Sequence, residues 1–142
     1  MTLVSFTPEQ TFPCFESIIF ESRTATTYAD SATVTTTELV GGLLIDSKNG
    51  AETLTLPTAA LLNAGVPGAQ AGKSFVFYVR NIGNNTTTVA VGTGGTSASG
   101  NTLTVATLST RIFLLVITAV ASGDNPSSSD TYTLYSLGVS LH

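Results

Sequence analysis

Charge is what this sequence lacks most. Across 142 residues there are 5 Lys and Arg, 9 Asp and Glu, and one His, so charged residues make up 10% of the chain and the net charge is −4. Soluble domains ordinarily carry about 25%. A polyanion-binding protein needs clustered Lys and Arg to displace counterions, so nucleic acid is not an expected partner. There is one cysteine, Cys14, which excludes an internal disulfide, and one histidine, His142. Zinc and iron–sulfur modules need several such ligands, so no metal or cofactor is expected. Tryptophan is absent. The longest apolar run, Ile112 to Ala121, falls short of the ~20 residues a membrane helix needs. Met1 to Pro13 has no basic stretch ahead of an apolar one, so it does not read as a secretory signal, and a reducing cytosol is the expected place of synthesis.

What stands in place of charge is hydroxyl. The chain holds 25 Thr and 15 Ser, against a hydrophobic fraction of 42%. That balance opposes disorder, which pairs low hydrophobicity with high charge. It suits strands, because Thr fits a pleated, half-buried surface.

Two textures divide the chain. Residues 1–38 carry Phe6, Phe12, Phe15 and Phe20, two prolines and Cys14, with no steady period, and read as an N-terminal arm or attachment segment. Its four phenylalanines are the candidate partner-binding residues. Residues 39–142 form a series of short Thr/Val/Leu segments separated by Gly, Asn and Pro, with no repeat of fixed length, which argues against a solenoid.

Gly42–Asp46 reads as a strand, and Asn49-Gly50 after it as a tight hairpin turn into Glu52–Leu56, where Leu54 and Leu56 share a face. Lys73–Ile82 alternates Phe75, Phe77 and Val79 against Val76, Tyr78 and Arg80. Thr86–Val91, Thr102–Ala106, Arg111–Val120 and Thr131–Leu137 complete the set, with Ser17–Glu21 and Leu3–Phe6 as candidate strands of the arm. Arg111–Val120 is apolar on both faces and is expected at the centre of a sheet. Thr58–Gly65 is the one helical turn expected, a plug between strands. Leu54, Leu56, Phe75, Phe77, Val79, Ile112, Leu114 and Val116 are the expected core. The expected fold is all-β, an antiparallel β-sandwich of jelly-roll type.

Candidate chemistry is sparse. Gly68–Ser74 imitates a phosphate-binding loop, but only three residues separate its glycines and it leads into a strand. His142 closes the chain, and Glu16 and Glu21 lie five apart, on opposite faces of one strand, so no acid–base or nucleophilic set assembles. An enzyme is not expected. Two polar loops, Gly92–Gly100 and Ala121–Asp130, offer Thr93, Thr96, Asp124, Asn125 and Asp130 as exposed-loop or glycan contacts. Tyr28, Tyr78, Tyr132 and Tyr135 are the rings a sugar could stack on.

Burying charge at a subunit contact costs several kcal/mol per ion unless it is paired, and interface cores are depleted in charge accordingly. A Thr-rich, charge-poor sheet protein also lacks the usual guards of exposed strand edges. Both point to a surface covered by assembly.

Three segments carry a resemblance: Thr53–Leu62 (TLTLPTAALL), Gly72–Gly83 (GKSFVFYVRNIG) and Thr86–Gly95 (TTTVAVGTGG). Together they resemble virion structural proteins of phages and large DNA viruses, in particular capsid decoration, spike and fibre-head modules, over roughly residues 38–138. The resemblance implies a β-sandwich that assembles as a homo-oligomer, a trimer before a pentamer, on a virion surface. Its partner there would be a major capsid or fibre protein, and no catalytic residue is implied. The expectation is a structural protein that decorates, cements or caps a capsid or fibre. The alternative is a receptor-binding module that grips host glycans through the two polar loops.

Overall fold

The computed structural model describes residues 22–121 and 129–141. Among them are ten strands: β1 (Thr24–Tyr28), β2 (Ala32–Thr33), β3 (Gly42–Asp46), β4 (Glu52–Thr55), β5 (Ser74–Asn81), β6 (Thr87–Ala90), β7 (Gly95–Ser97), β8 (Thr104–Val105), β9 (Ser109–Ala119) and β10 (Thr131–Leu141). Two short helices, α1 (Thr36–Gly41) and α2 (Ala59–Gly65), interrupt them. The strands form a six-stranded sheet, ordered β1-β3-β5-β9-β10-β7, and a four-stranded sheet, ordered β2-β4-β6-β8.

Both sheets send alternate side chains inward. Leu44, Phe77, Val79, Phe113, Leu115, Ile117, Tyr132 and Leu134 come from the larger sheet, and Leu54, Val89 and Val105 from the smaller, all essentially without solvent exposure. Phe77 and Phe113 are register partners and stack with their ring centroids 5.3 Å apart. The helices close the space between the sheets with Leu39, Ala59 and Leu62. α2 is the expected plug, capped by the Thr58 hydroxyl, which accepts from the Leu61 amide at 3.3 Å.

Several expectations need correction. The sheets are not antiparallel: β1, β3 and β5 run parallel, as do β2, β4 and β6, and β7 runs parallel to β10. Only β9 with its two neighbours, and β8 with β6, are antiparallel. A jelly roll is built from antiparallel pairs, so the expectation holds only at the level of two packed sheets. From β1 to β6 the chain alternates between sheets, winding as a coil does. No repeat is visible because the windings differ in length. Thr24 pairs with Gly42, 18 residues on, whereas Leu43 pairs with Tyr78, 35 residues on.

The Asn49-Gly50 turn is a crossover between sheets and not a hairpin, and neither residue takes a positive φ. α1 was not among the expected elements. Its start carries a capping box: the Thr35 hydroxyl accepts from the Glu38 amide at 3.3 Å, and the Glu38 carboxylate accepts from the Thr35 amide at 2.8 Å. β1 and β2 lie within residues 24–33, which the sequence texture assigned to the arm, and they pair with β3 and β4. The candidate strands Ser17–Glu21 and Leu3–Phe6 lie outside the described residues.

Candidate interaction surface

β9 decides what the larger sheet shows on its outside. Its inward residues are Phe113, Leu115 and Ile117, each fully buried, so the expected core residues Ile112, Leu114 and Val116 point outward and are half-buried. The period of two leaves a strand's inner face undetermined when both alternate sets are apolar. Phe113 settles it by stacking on Phe77 across the register. Phe75, also expected in the core, is half-buried and packs against its edge.

The register turns these positions into rows across the outer face. One runs Leu43, Tyr78, Ile112, and the next Val76, Leu114, Tyr135. Tyr135 and Leu137 are exposed at the β10 end. Arg80 is the one charged side chain that β3, β5, β9 and β10 place on this face, on the row with Ile45 and Thr110. The outer face of the smaller sheet has the opposite character. Its rows are Thr33, Thr55, Ala90 and Thr53, Thr88, Thr104, hydroxyl-bearing apart from one alanine. The molecule therefore presents one apolar sheet face and one threonine face.

Polar side chains lash one end of the sandwich shut. The Thr87 hydroxyl donates to buried Asp46 across the two sheets, and the other Asp46 oxygen accepts from the Lys48 amide at 2.9 Å. Asn81 donates to the Val105 carbonyl at 3.0 Å and accepts from the Gly83 amide at 2.9 Å. Lys48 bridges Asp30 at 2.8 Å and buried Glu52 at 2.5 Å. Lys48 and the Ser31 hydroxyl hold the Glu52 carboxyl below the usual carboxylate range. Asp46 and Asp30 accept from donors on other elements, and Glu52, whose buried carboxylate oxygens accept no hydrogen bond, is held by its ion pair with Lys48, which makes the cluster a clasp. Among the described residues no three His, Cys, Asp or Glu come together as a metal site would require.

The sequence-derived contact residues fare unevenly. Phe6, Phe12, Phe15, Phe20, Asp124 and Asn125 lie outside the described residues. Thr93 and Thr96 are exposed. Thr96 belongs to β7, where its hydroxyl meets the Tyr132 carbonyl at 3.3 Å and the Thr133 hydroxyl at 3.1 Å. Asp130 is a correction: it is buried, and its carboxylate accepts from the Ala121 amide at 2.6 Å, closing the base of the loop. Tyr132 is fully buried and offers no ring to a sugar. Its hydroxyl accepts from the Gly92 amide at 2.9 Å and donates to the Pro57 carbonyl at 3.2 Å. Gly95 serves this packing, since a Cβ there would lie 2.4 Å from the Tyr132 ring.

An apolar cavity of about 580 Å³ opens where the described chain begins, at Ser22, between α1, the connection after α2, and the start of β5. No protein-family model, curated protein or solved structure matches this chain.

Proposed function

We propose that this chain is a non-enzymatic virion structural protein that decorates, cements or caps a capsid or fibre. It packs against its own copies, as a trimer in the first instance, and against a major capsid or fibre protein at the virion surface. The observation that carries the reading is the apolar outer face of the larger sheet, above all its β9–β10 half with Leu114, Val116 and Tyr135. A monomer leaves Tyr135 exposed and Leu114 and Val116 half-exposed, and burying what remains of each on association yields roughly 1 kcal/mol. With so few ions on the face, little desolvation opposes that gain. The Asp46–Asn81–Lys48 clasp ties the two sheets together at one end, which suits a module that must keep its shape against its neighbours. For the alternative, a glycan-binding module, Thr93 and Thr96 are exposed whereas Asp130 and Tyr132 are buried, so its contacts would have to come from the threonines and not from those two side chains.

Sedimentation at micromolar concentration tests the proposal. The natural chain is expected to sediment as an oligomer, and Leu114→Lys with Tyr135→Lys as a monomer with unchanged far-ultraviolet circular dichroism. A natural chain that stays monomeric throughout the micromolar range overturns it.

A further inference from the structure

The crossover from β3 to β4 holds the only Asn-Gly step in the sequence, Asn49-Gly50. An asparagine ahead of glycine is open to attack by its own chain. The glycine amide nitrogen reaches the side-chain carbonyl carbon and closes a five-membered imide. The attack needs an asparagine in contact with water, a glycine amide not engaged by an acceptor, and a backbone free to turn toward the side chain.

The crossover meets all three needs. Asn49 is exposed, and both residues lie outside the strands. Backbone hydrogen bonding stops at Lys48, whose amide donates to Asp46 at 2.9 Å. It resumes at Glu52, whose amide donates to the Thr86 carbonyl at 3.5 Å. Among the described residues no acceptor takes the Gly50 amide and no partner holds the Asn49 carboxamide. Gly50, lacking a Cβ, leaves the nitrogen unshielded and the backbone free. The other asparagines differ on each count. Asn63, Asn81, Asn84, Asn85 and Asn101 each engage their carboxamide in a hydrogen bond. Asn125 precedes a proline, which has no N–H to attack with.

We propose that Asn49 is a site of spontaneous modification, converting to isoaspartate and aspartate and so loosening the clasp beside it. The Gly50 nitrogen gives its proton to hydroxide and bonds to Asn49 Cγ, and ammonia leaves. Water then opens the imide. Opening at the Asn49 main-chain carbonyl routes the chain through the former side chain, as isoaspartate, and opening at Cγ gives aspartate. The balance is one water consumed and one ammonia released, with no change of oxidation state. Either product adds a negative charge beside Lys48, which already bridges Asp30 and Glu52. Isoaspartate also inserts a methylene into the connection between the two sheets. Gly50 lies against the clasp, since a Cβ on it would meet Lys48 Cε at 3.5 Å and Glu52 Oε1 at 3.9 Å. A displaced Gly50 therefore disturbs the Lys48–Glu52 pair. The proposal is independent of the assembly reading.

The test is to hold the full chain in warm, mildly alkaline buffer and follow it by peptide mass spectrometry with isoaspartyl methyltransferase labelling. A gain of one mass unit confined to the Asn49 peptide is expected, with isoaspartate present and the rate rising with pH. Gly50 has no positive φ, and the contacts its Cβ would make are ordinary ones, so Gly50→Ala retains the fold. That variant is expected to slow the gain by an order of magnitude or more. The purified isoaspartate form should unfold at lower urea than Asn49→Asp, which carries the new charge without the added methylene. The proposal is overturned if the natural chain gains no mass while a free peptide of residues 47–52 converts fully. It is equally overturned if Gly50→Ala converts as fast as the natural chain, or if the isoaspartate form and Asn49→Asp share one urea midpoint.

Discussion

Leu114 and Leu115 are adjacent, identical in chemistry, and placed on opposite faces of β9. Leu115 is fully buried opposite Phe75 in the register, while Leu114 is half-buried on the outer face opposite Val76. Truncating each to alanine therefore separates core from surface with no change of residue type. Leu115→Ala removes buried methyl groups and leaves a cavity between the sheets, which costs about 3 kcal/mol within a usual range of ~2–5. For a domain of this size that lowers Tm by about 10 °C. Leu114→Ala gives up only partial burial, about 1 kcal/mol, and under the proposed assembly is expected to weaken subunit association. Urea unfolding with the slope held constant reads the first effect, and sedimentation the second. Equal losses of stability, or a larger loss at Leu114, would mean that β9 sits one residue out of register. Every side chain of the strand would then change faces, and the apolar outer surface would be an error.

Two further outcomes follow from the polar contacts. Tyr132→Phe keeps the ring but strips the Gly92 amide and Pro57 carbonyl of their partner, so a loss of about 1–3 kcal/mol is expected in urea unfolding; no loss would show that the hydroxyl is replaced there. Glu38, held by the Thr35 amide and hydroxyl, and Glu52, held by Lys48 and Ser31, both have carboxyls below their ordinary 4.5. Their stabilisation is fully present above that value and is lost as pH falls through the depressed folded-state values, because the unfolded chain then binds more protons. Urea midpoints should be level near neutrality and fall below about pH 4.5, and Glu38→Gln with Glu52→Gln should flatten the fall. A midpoint that rises on acidification would contradict both assignments.

Local pattern carried the strands well. Leu54 and Leu56 share a buried face, Phe77 and Val79 point inward, and Gly42–Asp46 is a strand with the bounds that its flanking residues suggested. Pairing did not follow from local pattern. Asn49-Gly50 looks like a hairpin turn, yet Leu44 and Leu54 both face the core from opposite sheets, and which sheet a strand joins depends on burial across the whole chain. The inner face of β9 was undecidable because Ile112, Leu114 and Val116 are as apolar as Phe113, Leu115 and Ile117. α1 did have a signal, Thr35 with Glu38 three residues later. It lay inside a run of threonines, and Thr is a residue of strands more than of helices. Asp130 gave no sign of burial, since its partner is a backbone amide nine residues away.

The contrast between the two outer faces bears on how the composition arose. Thr53, Thr55 and Thr88 occupy positions on the smaller sheet geometrically equivalent to those of Leu43, Tyr78 and Ile112 on the larger. Both sets are half-buried, so solubility alone would have placed hydroxyls on both. Threonine on one face shows that strands of this chain can be covered in hydroxyl without loss of the fold. The apolar rows of the larger sheet are then a separate requirement, and a contact that buries them is the physical reason to retain them. Converting Val76 and Leu114 to threonine should preserve the two-sheet core while abolishing whatever packs on that face, and the smaller sheet offers the precedent for the first half of that statement.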